Sequence, residues 1–191
     1  QAVYNQLREV LPDGLRILNQ APASDQDSYV VSAKLAQRYN LKQIGDLRAV
    51  PNLVLGGNSE LETRPYGPKG LKSIYGVNAK FSPIEDSGGA LTVKALRDNS
   101  IQLADIYSSD PVLAGSDLVV LADPKSLFLA SQVVPVISER IDERAGTEIN
   151  RISAMLTSRA LIEMNHQSTK LQRSARDIAK AWLATQSANA S

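Results

Sequence analysis

An α/β fold with helices on both faces of its sheet is predicted by three features of the chain. Short β-favouring runs alternate with helical stretches through the first two thirds. Leu118 to Leu121 and Val133 to Ile137 are unbroken apolar runs, of the kind a strand shows when both its faces are buried. The last third then changes to an amphipathic helical pattern.

The elements run in order from the N-terminus. Residues 3 to 11 read as an amphipathic helix, Gly14 breaks it, and Leu15 to Leu18 read as a short strand. A polar, turn-rich stretch from Asn19 to Asp27 leads into the strand Tyr29-Val30-Val31. Helical stretches are expected near Ala33 to Tyr39 and Ile44 to Val50, the second stopped by Pro51. Leu53-Val54-Leu55 is a strand ended by Gly56-Gly57, and Ser59 with Glu62 forms a capping-box pattern for a helix after them. Pro68 to Ile74 reads as helix, Ala79 to Phe81 as strand, and Ser87 as the cap of a helix reaching about Asn99. In IQLADIYSSDP a strand ends at Tyr107, after which Asp110 and Pro111 make an N-cap and first-helical-residue pair. Two or three amphipathic helices fill the C-terminal third to about Thr185, with a polar tail, Gln186 to Ser191, after them.

Composition narrows the function classes. Of 191 residues, 43% are hydrophobic and 21% charged, which suits a packed domain or two small lobes. Twenty-one basic residues against 20 acidic ones leave a net charge of +1, without the basic stripe of a nucleic-acid binder. There is no cysteine, which removes disulfides, thiolate metal sites and a cysteine nucleophile. No apolar run approaches the roughly 20 residues of a membrane-spanning helix. The first residues carry no signal-peptide pattern, so an export signal is not expected within this chain.

Candidate chemistry is sparse. Gly56-Gly57 could offer backbone N–H groups to an anion, but the three-glycine dinucleotide fingerprint is missing and a tight structural turn is favoured. Gly88-Gly89 comes after Glu85-Asp86 and permits close backbone approach, by another strand or by a ligand. His166, the single histidine, has no histidine partner for a metal or a triad, so it reads as a surface cap. Neither a catalytic group nor a metal or cofactor site is expected. Six of the nine aromatic residues are tyrosines, and two of them, Tyr29 and Tyr107, stand at transitions near Asp27 and Asp110. A ring beside a carboxylate suits a cationic or polar small ligand, although two ordinary strand-end tyrosines would look the same.

Longer stretches carry a resemblance. NQAPASDQDSYVVSAKLAQRYNLKQIGDL, Arg64-x-x-Gly67 with Gly70-Leu71 and Tyr75-Gly76, ADIYSSD, DPKSLF and the helical end MLTSRALIEMNHQSTKLQRSARDIAKAWL occur in an order and type that resemble one family. It is that of the substrate-binding proteins of osmoprotectant ABC transporters, for glycine betaine, choline and carnitine. The resemblance implies a type II periplasmic-binding-protein fold: two α/β lobes joined by two crossover strands, with a helical C-terminus. It places the remainder of the first half of lobe one at 1–29, lobe two at 30–107 and the returning part of lobe one at 108–191. The opening part of lobe one would then be missing, leaving an exposed edge open to self-association.

The same resemblance implies a solute-binding, non-enzymatic protein outside the cytoplasm, periplasmic or membrane-anchored. Its partners would be a small osmolyte, such as one with a quaternary ammonium group, and an ABC permease. Tyr29, Asp27, Tyr107, Asp110 and Ser131 are the implied ligand-binding residues. Asp27 stands where the family has asparagine, and Ser131 where it often has a further cage tyrosine. One alternative is the effector-binding domain of a LysR-type transcription regulator. Another is an anion-handling enzyme using Gly56-Gly57.

Overall fold

A computed structural model describes residues 2–188. The chain falls into two compact units, Gln26–Leu129 and the pair of segments Gln1–Asp25 and Ala130–Ser191. In chain order the elements are α1 (Ala2–Val10), β1 (Leu15–Ile17), β2 (Asp27–Ser32), α2 (Ala33–Tyr39), β3 (Val54–Gly57), α3 (Pro68–Gly70), β4 (Lys80–Pro83) and α4 (Ala90–Arg97). After these come β5 (Leu103–Tyr107), β6 (Leu118–Val120), β7 (Val136–Ser138), α5 (Glu143–Met155), α6 (Ser158–Thr169) and α7 (Ala175–Ala188).

The middle unit is built on a five-stranded sheet in the order β4-β3-β5-β2-β6. β3 runs parallel to β4 and β5, while β2 runs antiparallel to β5 and β6. The apolar side chains of β2, β3 and β5 are buried because this sheet is covered. Val30, Val31, Leu55 and Leu103 are fully enclosed, and Ile44, Leu47, Leu71 and Tyr75 belong to the same buried core. Each such side chain contributes about 1.5–3 kcal/mol on burial. Leu118 and its neighbours pair with β2, so residues 108–129 stay with the middle unit. This pairing adds β6 to the sheet that β2 and β5 share. The other unit carries the two-stranded antiparallel sheet of β1 and β7 with α1, α5, α6 and α7.

Local signals account for most boundaries. Ser32 accepts a hydrogen bond from the Leu35 N–H and opens α2, which ends on Asn40 in the left-handed conformation, φ 52°. Asp110 accepts from the Val112 N–H, and Pro111 comes next, as expected, although the helix is a short 3₁₀ segment, Pro111–Ala114. Ile44–Ala49 is also 3₁₀ rather than α. Its lead-in is held by the Asp46 carboxylate, which accepts from the N–H groups of Lys42 and Gln43, both at 2.9 Å.

Two caps differ from expectation. Ser59 does not form a capping box with Glu62: its N–H is taken by the Glu85 carboxylate at 3.0 Å, and only a 3₁₀ turn, Ser59–Glu62, forms behind Asn58. Ser87 does not cap α4. It adopts φ 53° and its N–H donates to Asn58 Oδ1 at 2.9 Å, while the Asp86 carboxylate takes the N–H groups of Leu91 and Thr92. The expected helix at Pro68 to Ile74 is a single α turn that widens into a π segment, Leu71–Tyr75. The strand expected from Val133 starts only at Val136. Part of the polar tail, residues 189–191, lies outside the described residues.

The glycine pair that ends β3 is explained by packing. A Cβ at Gly56 would sit 2.5 Å from Ile101 Cδ1, and one at Gly57 would sit 2.7 Å from Leu61 Cδ2. These glycines let β3 approach its cover, in keeping with the tight structural turn expected there, so no anion cradle is needed to account for them. His166 lies inside α6, and its backbone carbonyl, rather than its ring, receives the Lys170 N–H at 2.9 Å. The surface-cap expectation is corrected in that respect, since the ring Nδ1 is buried.

Candidate functional site

The pairing of β2 with β5 builds the site. Asp27 stands opposite Tyr107, and Tyr29 opposite Asp105, in an antiparallel register. Residues two apart on a strand share a face, so all four side chains belong to one face of the sheet. At its outer end the Asp27–Tyr107 pair borders a cavity of about 140 Å³, with Asp105 in its lining as well. The remaining wall comes from two loops. Glu60, Leu61, Arg64 and Tyr66 come from the 3₁₀ turn and the loop after it; Ser87 and Gly88 come from the approach to α4, and Asn58 from the end of β3.

The two loops are tied together. Asn58 Nδ2 donates to Ser87 Oγ at 3.1 Å, and Ser87 N–H returns a hydrogen bond to Asn58 Oδ1 at 2.9 Å. Gly88, at φ 77°, lies against the backbone of β5: a Cβ there would meet the Asp105 carbonyl oxygen at 2.8 Å. This is the close approach by a strand that the Gly88-Gly89 doublet permits, and it brings Gly88 into the cavity wall. Arg64 donates to Glu60 at 3.0 Å on the exposed rim, where such a pair contributes little to stability.

Tyr29 lies beneath the cavity rather than at its surface. It is fully buried, its hydroxyl donates to the Tyr66 carbonyl, and its ring meets Phe128 edge-on with centroids 4.9 Å apart. Phe128 also touches the Tyr66 ring at 5.4 Å. Phe128 is itself placed by Asp123, which accepts its N–H at 2.9 Å and also accepts the Tyr75 hydroxyl. A chain of contacts thus runs from Asp123 through Phe128 to the two tyrosines under and beside the cavity. Burial first, and then the nearby Asp105 and Asp27 carboxylates, push the Tyr29 phenol far above its ordinary range. It is an uncharged hydrogen-bond donor.

The electrostatics of the cavity are dominated by carboxylates. Asp105 has one oxygen, Oδ1, that is buried and without a hydrogen-bond partner. Burial, and then the Asp27 charge, push its carboxyl up to about 7. Tyr66 is pushed up to about 12 by burial and by donating its hydroxyl to Asp27. Tyr107 is 47% exposed, so its ring can be reached by solvent and by a ligand. Two rings, Tyr66 and Tyr107, and two carboxylates, Asp27 and Asp105, therefore meet at one small cavity. Rings and carboxylates grouped in this way suit a cationic group.

Of the five residues expected at a ligand, the structure brings Asp27 and Tyr107 to this cavity. Tyr29 supports it from below. Asp110 is occupied in capping the segment Pro111–Ala114. Ser131 belongs to the other unit, where it lines a separate cavity with Tyr4, Leu7 and Gln132. Tyr66 and Asp105 line the same cavity, and their place there is not apparent from the sequence. Tyr66 falls inside the Arg64-x-x-Gly67 stretch but carries no signal of its own. Asp105 stands two residues before Tyr107, a spacing that places it on the same strand face. Among the described residues no cluster of histidine and carboxylate groups could hold a metal ion.

Comparison with known proteins bears on this geometry. The profile of the family described as the substrate binding domain of ABC-type glycine betaine transport system matches residues 1–185. The carnitine transport binding protein OpuCC of Listeria monocytogenes serotype 1/2a (strain 10403S) is 25% identical over 145 residues, covering 73% of this chain and 46% of that protein. The ergothioneine transport permease/ergothioneine binding protein EgtU of Helicobacter pylori (strain G27) is 24% identical over 160 residues, covering 82% of this chain and 29% of that protein. This chain thus spans less than half the length of either relative. A crystal structure of a glycine betaine/carnitine/choline ABC transporter matches with a TM-score of 0.81 at 22% identity, over 96% of this chain and 68% of that one. The fold is of the type II periplasmic-binding-protein class. The family match overturns the alternative of a LysR-type effector domain.

Proposed function

Because the chain belongs to the family of substrate-binding domains of ABC-type glycine betaine transport systems, we propose that its middle unit captures a small cationic compatible solute for import. The observation that carries this reading is the convergence of Tyr66, Tyr107, Asp27 and Asp105 on one cavity. A ring face attracts an ammonium group by about 0.5–2 kcal/mol, more when water is excluded. The cavity is smaller than the roughly 300–1,000 Å³ of sites that enclose a drug-sized molecule, so it suits a headgroup. The role is binding without catalysis, as in the family; the protein would work outside the cytoplasm, and its receiving partner would be the membrane permease of an ABC transporter. Among the described residues no helix is long and apolar enough to cross a membrane.

Calorimetric titration of the full-length protein with choline, carnitine, glycine betaine and ergothioneine tests the proposal. Binding of at least one solute is expected, and Tyr107→Ala should weaken it by about 2- to 30-fold, the equivalent of one ring–cation contact. Unchanged binding in Tyr107→Ala would remove that residue from the site. Absence of binding to every solute would overturn the reading.

A further inference from the structure

The charge of the cavity points to a finer discrimination. Three carboxylate residues, Asp27, Glu60 and Asp105, line it against a single cation, Arg64, and Arg64 is already engaged by Glu60 at 3.0 Å. Asp105 stands apart from the other two. It lies toward the inner end of the shared strand face, opposite Tyr29, and its Oδ1 is buried without a partner. Among the residues lining the cavity, none supplies Asp105 with compensating positive charge. β2 presents Asp27 and the Tyr29 phenol, the loop after the 3₁₀ turn presents Glu60, Arg64 and Tyr66, and the approach to α4 brings only Ser87 and Gly88. β3 contributes Gly57, where a Cβ would come within 3.5 Å of the Asp105 Cβ, so no side chain from that strand faces Asp105 there.

We propose that Asp105, with Asp27, selects ligands by net charge, so that the site prefers a fixed monocation of the choline type over a zwitterion of the betaine type. This preference rests on the solute-binding reading under Proposed function. Both ligands offer the same quaternary ammonium to Tyr66 and Tyr107. Only the zwitterion also brings a carboxylate, which meets Asp27 and Glu60 at short range with no unengaged cation in the lining to receive it. The preference depends on Asp105 being charged. Its carboxyl titrates at about 7, so acidification neutralises it and removes part of the attraction for a monocation. A monocation binding near neutral pH should therefore displace a proton from Asp105 into solvent. A zwitterion gains less from that ionisation and displaces fewer protons.

The test is calorimetric titration of choline and glycine betaine into the full-length protein at pH 6 and pH 8, each in two buffers of different ionisation enthalpy. At pH 8 choline should bind about tenfold tighter than glycine betaine, as expected for one additional close charge interaction near a protein surface. At pH 6 the ratio should shrink at least about threefold, with proton release to the buffer on choline binding. Asp105→Asn should flatten the pH dependence of choline binding and narrow the preference for choline over glycine betaine at pH 8. If that variant fails to fold, Asp27→Asn should narrow the preference at pH 8. Tighter binding of glycine betaine at pH 8, or a ratio that does not move with pH, overturns the inference while the solute-binding reading stands. Binding of neither solute overturns the reading itself, and the inference with it.

Discussion

Asp27 and Tyr107 face each other as register partners across β2 and β5, and their side chains border the same cavity. One pair of antiparallel strands thus joins a charge to a ring, although the two residues lie far apart in sequence. Behind them on the same face stand Tyr29 and Asp105, the first buried and the second partly so.

Tyr29 should act on stability rather than directly on a ligand. Tyr29→Phe leaves the Tyr66 carbonyl without its donor and should cost about 1–3 kcal/mol. Tyr29→Ala also empties the space against Phe128 and should cost about 3–5 kcal/mol. Urea denaturation measures both. Tyr107→Ala, at a half-exposed position, should stay within about 1 kcal/mol of the parent.

Stability should fall as pH rises from about 4 to about 7 through the contribution of Asp105. Its folded-state value is raised to about 7 by burial and by Asp27, so the unfolded chain releases its proton first. In that window the folded state binds more protons, and the slope of stability against pH is negative for this group. Asp105→Asn removes the contribution. The variant should gain on the parent as pH increases, becoming more stable above pH 7 in denaturation series at pH 5 and pH 8.

The start of α4 is held by Asp86. Asp86→Ala should destabilise the middle unit by about 1–2 kcal/mol, because two helix N–H groups lose their acceptor. Removing the Ser87 hydroxyl takes away only the acceptor of the Asn58 amide, an exposed bond, and should cost less. The order of the two midpoints in urea checks the assignment.

Much of the fold is legible in the chain because its signals are local. Ser32 before α2, and Asp110 with Pro111, cap as their residue types dictate. The strands of the middle unit are marked by apolar runs, and the long helices of the C-terminal third by their spacing. The caps at Ser59 and Ser87 depart from their local pattern because a distant group competes. Glu85 takes the Ser59 N–H and Asn58 takes the Ser87 N–H, each across more than twenty residues of chain. The site is legible in part for the same reason. Asp27 and Tyr107 carry their polarity and position in the sequence. Whether Tyr29 faces out or in depends on Phe128, and so on a loop pinned by Asp123. Tyr66 and Asp105 become site residues only once strand register and loop closure bring them together.

That dependence gives a further expectation. Asp123→Ala should release Phe128, lower stability by about 2–4 kcal/mol through loss of buried hydrogen bonds and packing, and weaken solute binding through Tyr66. Denaturation and titration on the same variant separate the two effects, and restored binding at low temperature would identify a purely structural origin.

On the proposed function, the cavity bordered by Asp27, Tyr66, Asp105 and Tyr107 receives the cationic group of a solute. A crystal structure of the full-length protein with bound choline tests it most directly. The quaternary ammonium is expected within about 6 Å of the Tyr107 or Tyr66 ring centre and beside the Asp27 carboxylate. An ammonium group held elsewhere, with this cavity filled only by water, would contradict it.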